Sequence, residues 1–182
     1  MRLPGFDHCH KWLCAPKGSA FLYVRPEIQP LLEPLIVSWG WQSETPSSSR
    51  FIDEQEYTGT RDIAAYLATP AAIEFLEAHQ WETVRERCHR LVVDAWQQLL
   101  ALTGQSPLSS AAWFRQMAAI PLPPCDQVAL KTRLYDEFGV ESPISVWNGR
   151  PLLRVSIQGY NTSEDVERLV AAMNILLPQV RR

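Results

Sequence analysis

Cys9-His10-Lys11-Trp12-Leu13-Cys14-Ala15-Pro16-Lys17-Gly18 lies near the start of a 182-residue sequence and governs how the rest is read. Lys11 stands between a histidine and a bulky tryptophan. A small-residue turn follows it, then the apolar run Ser19-Ala20-Phe21-Leu22-Tyr23-Val24. A continuous apolar run of this length suits a strand buried on both faces, as in a mostly parallel sheet. Beside such a strand and next to Trp12, the Lys11 ammonium is expected to be partly desolvated, which lowers a lysine pKa. An amine that sheds its proton near neutrality can attack a carbonyl and then serve as a base. His8, Cys9, His10 and Cys14 are also zinc-ligand types, but no second His/Cys group at finger or ribbon spacing completes a set, so no metal is expected.

Composition narrows the function class. Apolar residues make up 46 % of the chain, enough for a real core. Lys plus Arg number 17 against 20 Asp plus Glu, a net charge of −3 without a basic stripe, so nucleic acid is not an expected partner. No apolar run is long enough to span a bilayer, and Met1 to Asp7 holds no stretch of signal-peptide length. Cytoplasmic residence is the expectation, with the four cysteines (Cys9, Cys14, Cys88, Cys125) as free thiols.

Outward from the lysine segment, Glu27 to Arg50 carries Pro30, Pro34, Pro46 and the triplet Ser47-Ser48-Ser49, which reads as irregular chain with short helical turns. A helix is predicted from Thr60–Asp62 to about Glu77, with Thr60 as N-cap and a break at Pro70. Val84, Cys88, Leu91, Val92, Ala95, Leu99 and Leu102 recur at three- and four-residue steps, which predicts a helix over 81–103 stopped by Gly104. A strand over 113–122 and a helix over 126–138 ended by Gly139 come next. Asn148-Gly149 predicts a hairpin turn between strands near 140–147 and 152–157. A last helix is predicted over 163–177, with Thr162 as N-cap. The second part is thus an α+β layer, helices on one face of a small antiparallel sheet.

His-Lys-Trp-Leu at 10–13 with Ala-Pro-Lys-Gly at 15–18, Tyr57-Thr58-Gly59-Thr60-Arg61-Asp62, and Leu153-Arg154-Val155-Ser156 leading to Tyr160-Asn161-Thr162 occur in that order. This set resembles the C-terminal half of class V aminotransferase-like enzymes, pyridoxal-phosphate proteins of fold type I, and within them the isopenicillin N epimerase branch. The resemblance implies an α/β to α+β fold, with residues 1–80 a remnant of the large cofactor domain and 81–182 the C-terminal small domain. It implies pyridoxal 5'-phosphate as cofactor and Lys11 as the catalytic lysine that holds it. It also implies His10 and Thr60 near the cofactor phosphate, Thr60 reaching across a dimer interface, and Arg154 gripping the carboxylate of an amino-acid-type substrate. His8 replaces the family's usual asparagine. The desulfurase branch carries a nucleophilic cysteine on a loop shortly before the arginine; residues 138–153 contain none, which disfavours that activity.

On the residues alone, Lys11 can also be a solvated surface charge, His10 a histidine bonded to backbone, Thr60 an N-cap only, and Arg154 half of a protein salt bridge. By the resemblance, the acid on the cofactor's ring nitrogen, the ring over its face and the phosphate-cupping turn all precede the lysine in the family, and only ten residues precede it here. The expectation is a fragment inactive alone, working as a homodimer or paired with a missing N-terminal half. The alternative is a non-catalytic small domain or subunit that pairs with a partner chain, with Phe21 and Trp39-Gly40-Trp41 as interface surface.

Overall fold

The computed structural model describes residues 5–181, and the chain divides into two compact units, Met1–His79 and Gln80–Arg182. In the first, strands β1 (Gly5–His8) and β2 (Ala20–Tyr23) form an antiparallel hairpin with Phe6 opposite Leu22 and His8 opposite Ala20. The expected doubly buried parallel strand is therefore an exposed antiparallel one. An apolar run is buried only where other elements cover it, and among the described residues β2 pairs with β1 alone. All four residues of β2 stay exposed.

The proline-rich stretch after β2 contains one turn of 3-10 helix, Gln29–Leu31. A helix the sequence does not announce, α1 (Arg50–Glu56), follows it, with the Ser49 hydroxyl accepting from the Ile52 N–H at 3.3 Å. Gly40 packs so tightly on α1 that a Cβ there would lie 1.6 Å from the Asp53 carbonyl oxygen. Gly40→Ala must displace backbone, not a side-chain tip, so it is expected to destabilise this unit by about 3 kcal/mol, the upper end for overpacking. Hydrogen exchange across α1 measures the loss. The helix predicted from residue 60 begins later and in two pieces, α2 (Ala64–Leu67) and α3 (Thr69–Ala78), because Pro70 sits in the first turn of α3, where its missing N–H costs nothing.

In the second unit, α4 (Trp81–Thr103) ends where Gly104 turns left-handed at φ 66° and donates to the Leu100 carbonyl at 2.9 Å. Strand β3 (Met117–Pro121) is followed by α5 (Gln127–Phe138), capped by the Asp126 carboxylate accepting from the Ala129 N–H at 3.0 Å. Strands β4 (Ile144–Trp147) and β5 (Arg150–Ser156) turn through Asn148 and Gly149 at φ 48° and 75°, the geometry of a type I′ hairpin. The sheet order is β3-β5-β4, all antiparallel. Helix α6 (Ser163–Val180) closes the unit.

Strand alternation divides β5. Leu153, Val155 and Ile157 just beyond it enter the core with Ile120 of β3, Leu99 of α4, Leu134 of α5 and Met173 of α6, while Arg154 and Ser156 face away from it. The sheet thus carries its helices on one face, as expected. At the head of α6 the Asp165 carboxylate accepts from the Thr162 N–H at 3.1 Å and from the Asn161 amide at 3.2 Å. The Thr162 N–H first, then the Asn161 amide, hold its carboxyl below the usual aspartate range. A depressed folded pKa adds stability above the unfolded pKa near 4, and that stability fades as pH falls through the lower folded value. Asp165→Asn is therefore expected to lower stability at pH 7 by about 1 kcal/mol. Its gap from wild type should narrow as pH drops below about 4, read by urea unfolding across that range. Among the described residues, no helix is long and apolar enough to cross a membrane.

Candidate functional site

Lys11 sits in the connection between β1 and β2. Four backbone hydrogen bonds fold this loop on itself: Cys9 N–H to Ser19 O (3.1 Å), Lys11 N–H to His8 O (3.2 Å), Cys14 N–H to Lys11 O (3.3 Å) and Ala15 N–H to Cys9 O (3.0 Å). Its far end is pinned to the α2–α3 corner. Gly18, at φ 122°, lies where a Cβ would meet the Ala65 methyl at 3.0 Å, and the Ser19 hydroxyl lies 3.0 Å from that of Thr69. The backbone under Lys11 is thus fixed, while its side chain is exposed and Trp12 is only half-buried. The amine expected to be covered is thus exposed, because no described residue of its unit encloses it and β2 is itself uncovered.

His10, one residue back, is half-buried, and its Nδ1 is enclosed with no hydrogen-bond partner among the described residues. Its ring centroid lies 5.3 Å from that of His8. A buried ring nitrogen without a partner is uncommon in a folded chain and is open to an added donor or acceptor. Thr60 lies on a separate loop, exposed, its hydroxyl 3.3 Å from the Tyr57 hydroxyl. It caps nothing: the turn before α2 is held by the Asp62 carboxylate, which accepts from the Ala64 N–H at 2.8 Å. The Thr60 hydroxyl therefore keeps capacity for a further bond.

Arg154, in the other unit, lines a cavity of about 360 Å³ with Ser156, Asn161, Glu141 and Arg168 among its neighbours. Among the described residues no carboxylate pairs with its guanidinium, and its side chain is exposed. The protein salt bridge that the sequence left open is absent. Asp165, which also lines the cavity, spends its carboxylate on Thr162 and Asn161. The Asn161 amide is likewise engaged, accepting from the Gln158 N–H at 2.9 Å and donating to Asp165. The cavity therefore offers the Arg154 fork, the Ser156 hydroxyl and the Arg168 guanidinium beside one further carboxylate, Glu141. A planar fork is suited to bidentate recognition of a carboxylate. Arg168 escaped the sequence reading because a charge on the polar face of an amphipathic helix looks like ordinary solvated surface.

The aminotransferase class V family model matches residues 8–169. The isopenicillin N epimerase of Amycolatopsis lactamdurans is 36 % identical over 179 residues, covering 92 % of this chain and 45 % of the epimerase. The chain thus spans about half the length of the curated relatives it matches. Among solved structures, a cysteine desulfurase from Thermococcus onnurineus superposes with a TM-score of 0.70 at 18 % identity, over 96 % of this chain and 47 % of the desulfurase. The lyase C-DES, solved with glycine covalently linked to its PLP cofactor, superposes with a TM-score of 0.64 at 17 % identity, over 92 % of this chain and 44 % of C-DES. These likenesses give the chain the fold type I architecture, an α/β to α+β arrangement. The match from His8 to Leu169 takes in the lysine loop, the Thr60 loop and the Arg154 strand alike: the chain belongs to the aminotransferase class V family.

Proposed function

We propose that this chain is the lysine-and-arginine portion of a pyridoxal-phosphate enzyme, epimerase-like, acting on an amino-acid-type substrate. Residues 1–80 then belong to the cofactor domain and 81–182 form the small domain. The observation that carries the reading is the Arg154 guanidinium in its cavity, paired with no carboxylate among the described residues, on the strand where the family pattern puts a carboxylate grip. The residues of the lysine loop fit the cofactor. Lys11 has an exposed amine on a fixed backbone, and the enclosed Nδ1 of His10, without a partner among the described residues, can meet a phosphate oxygen in the tautomer that carries its proton there. The Thr60 hydroxyl is a donor to the phosphate held by the partner across a dimer interface.

Pyridoxal phosphate, when bound, supplies an aldehyde that condenses with amines and a ring that draws electron density from the substrate α-carbon. The chain's own part is to hold and move. Arg154 fixes the substrate carboxylate through two parallel N–H bonds and so sets which α-substituent is presented for reaction. Lys11, covalent anchor at rest, takes and returns the α-proton at its Nζ.

The exposed apolar side chains of the first unit point the same way. Leu35 is 99 % exposed, Trp39 86 % and Phe6 76 %, surface that asks for a covering partner. A second reading follows from it, a non-catalytic subunit that docks on a partner chain through this surface. A titration with pyridoxal phosphate separates the two. The purified chain is expected to take up little cofactor alone, and one equivalent when co-expressed with the half that precedes the matched region in the Amycolatopsis relative. Uptake in neither preparation favours the docking subunit; full uptake by the chain alone contradicts the division of the site.

A further inference from the structure

Strand β4 stops at Ile144, opposite Leu153 of β5, but the ladder runs one step further. At that step Arg154 faces Pro143, and the Arg154 N–H donates to the Pro143 carbonyl at 2.9 Å. In a regular antiparallel ladder the facing residue returns the bond, its own N–H donating to the Arg154 carbonyl. Proline has no N–H to give. The preceding residue supplies the missing donor: the Ser142 hydroxyl donates to the Arg154 carbonyl at 2.8 Å. Ser142 is only 7 % exposed, so this is a hydroxyl the fold has enclosed.

We infer that Ser142 is the positioning residue for Arg154, its hydroxyl standing in for the absent Pro143 N–H and closing the last rung of the ladder under the carboxylate-binding arginine. The inference rests on the reading of Arg154 given above. Without the hydroxyl, the Arg154 carbonyl loses its partner beside the enclosed Ser142 position, at a cost that opening the rung relieves. Once the rung opens, the peptide that carries the guanidinium is no longer held at both of its polar groups. A bidentate contact tolerates little of that freedom.

The test uses the 182-residue chain and three variants. Ser142→Ala removes the donor, Ser142→Thr keeps a hydroxyl, and Ser142→Ala combined with Pro143→Ala restores a donor as a backbone N–H at position 143. Two quantities are read by NMR: the exchange protection of the Arg154 amide, and the dissociation constant for L-alanine followed at the Arg154 Nε. Ser142→Ala is expected to lower protection at least tenfold and weaken L-alanine about fivefold or more. Ser142→Thr and the double variant should both return within about twofold of wild type. Unchanged protection in Ser142→Ala, or a double variant as impaired as the single one, overturns the inference. A wild-type chain whose Arg154 does not respond to L-alanine contradicts the carboxylate reading instead, and amide protection with its rescue at position 143 then decides the role of Ser142.

Discussion

Arg154→Gln is expected to leave the second unit folded and to cut kcat/KM of the complete enzyme for its amino-acid substrate by about a thousandfold. By complete enzyme we mean this chain together with the half that the proposed reading places before it. The magnitude follows from two charge-assisted hydrogen bonds, each contributing about 2 kcal/mol, with about 1.4 kcal/mol for each factor of ten. Glutamine keeps the stem and loses the fork. Arg154 faces away from the core and pairs with no described carboxylate, so its removal leaves no buried partner stranded. Lysine is expected to recover less than a tenth of the loss, because a point charge does not reproduce a planar fork. Exchange of the substrate α-proton for deuterium, followed by NMR, reads the activity; unchanged circular dichroism reads the fold. A variant that keeps its rate removes Arg154 from the site.

One residue earlier on the same strand the expectation reverses. Leu153 has no exposed surface and packs within the cluster that joins β3, α4, α5 and α6. Leu153→Ala deletes a fully buried branched side chain from between a sheet and its helices, which cannot all collapse onto the gap. The cost is expected to be about 3–4 kcal/mol. Domains hold only about 5–15 kcal/mol in all, so this is a large share. Because the chain has two units, a single unfolding midpoint is not a safe measure; amide exchange along β5 and α6 isolates the second unit. Protection within a few-fold of wild type would show that Leu153 packs less tightly than its burial indicates.

The contrast between these neighbours was legible in the sequence, because alternation of apolar and polar residues in Leu153-Arg154-Val155-Ser156 assigns the faces without further help. The same holds for α4, whose apolar spacing and terminal Gly104 gave both ends, and for the Asn148-Gly149 turn, where two left-handed residues are what a tight hairpin needs. The first unit was harder to read. Helix α1 has seven residues and buries one of them, Glu54, a charged residue paired with Arg50, so there was no apolar stripe to find. Thr60 had the chemistry of an N-cap, but α2 begins only at Ala64, and the Asp62 carboxylate, nearer to it, accepts from the Ala64 N–H. Strand β2 looked doubly buried because its composition is that of a strand in a wide sheet, whereas its exposure depends on which neighbours are present.

The candidate site divides along the same line. Lys11, His10, Thr60 and Arg154 could be named as candidates from the sequence because each sits in a local pattern. Ser142 and Arg168 could not, since their places depend on packing between segments distant in sequence: Ser142 matters only because Pro143 comes to face Arg154 across the sheet. That no described carboxylate pairs with Arg154 was also invisible in the sequence, which cannot say whether a carboxylate folds back onto a strand arginine.

Reduction with borohydride after incubation with pyridoxal phosphate, performed on the chain co-expressed with the preceding half of its Amycolatopsis relative, asks which amine holds the cofactor. The chain offers three lysines, Lys11, Lys17 and Lys131. Peptide mapping is expected to find the reduced adduct at Lys11, with no adduct formed once Lys11→Ala is introduced. An adduct at Lys17 or Lys131 in its place, or a full equivalent surviving Lys11→Ala, would mean that the loop between β1 and β2 is not the cofactor's anchor.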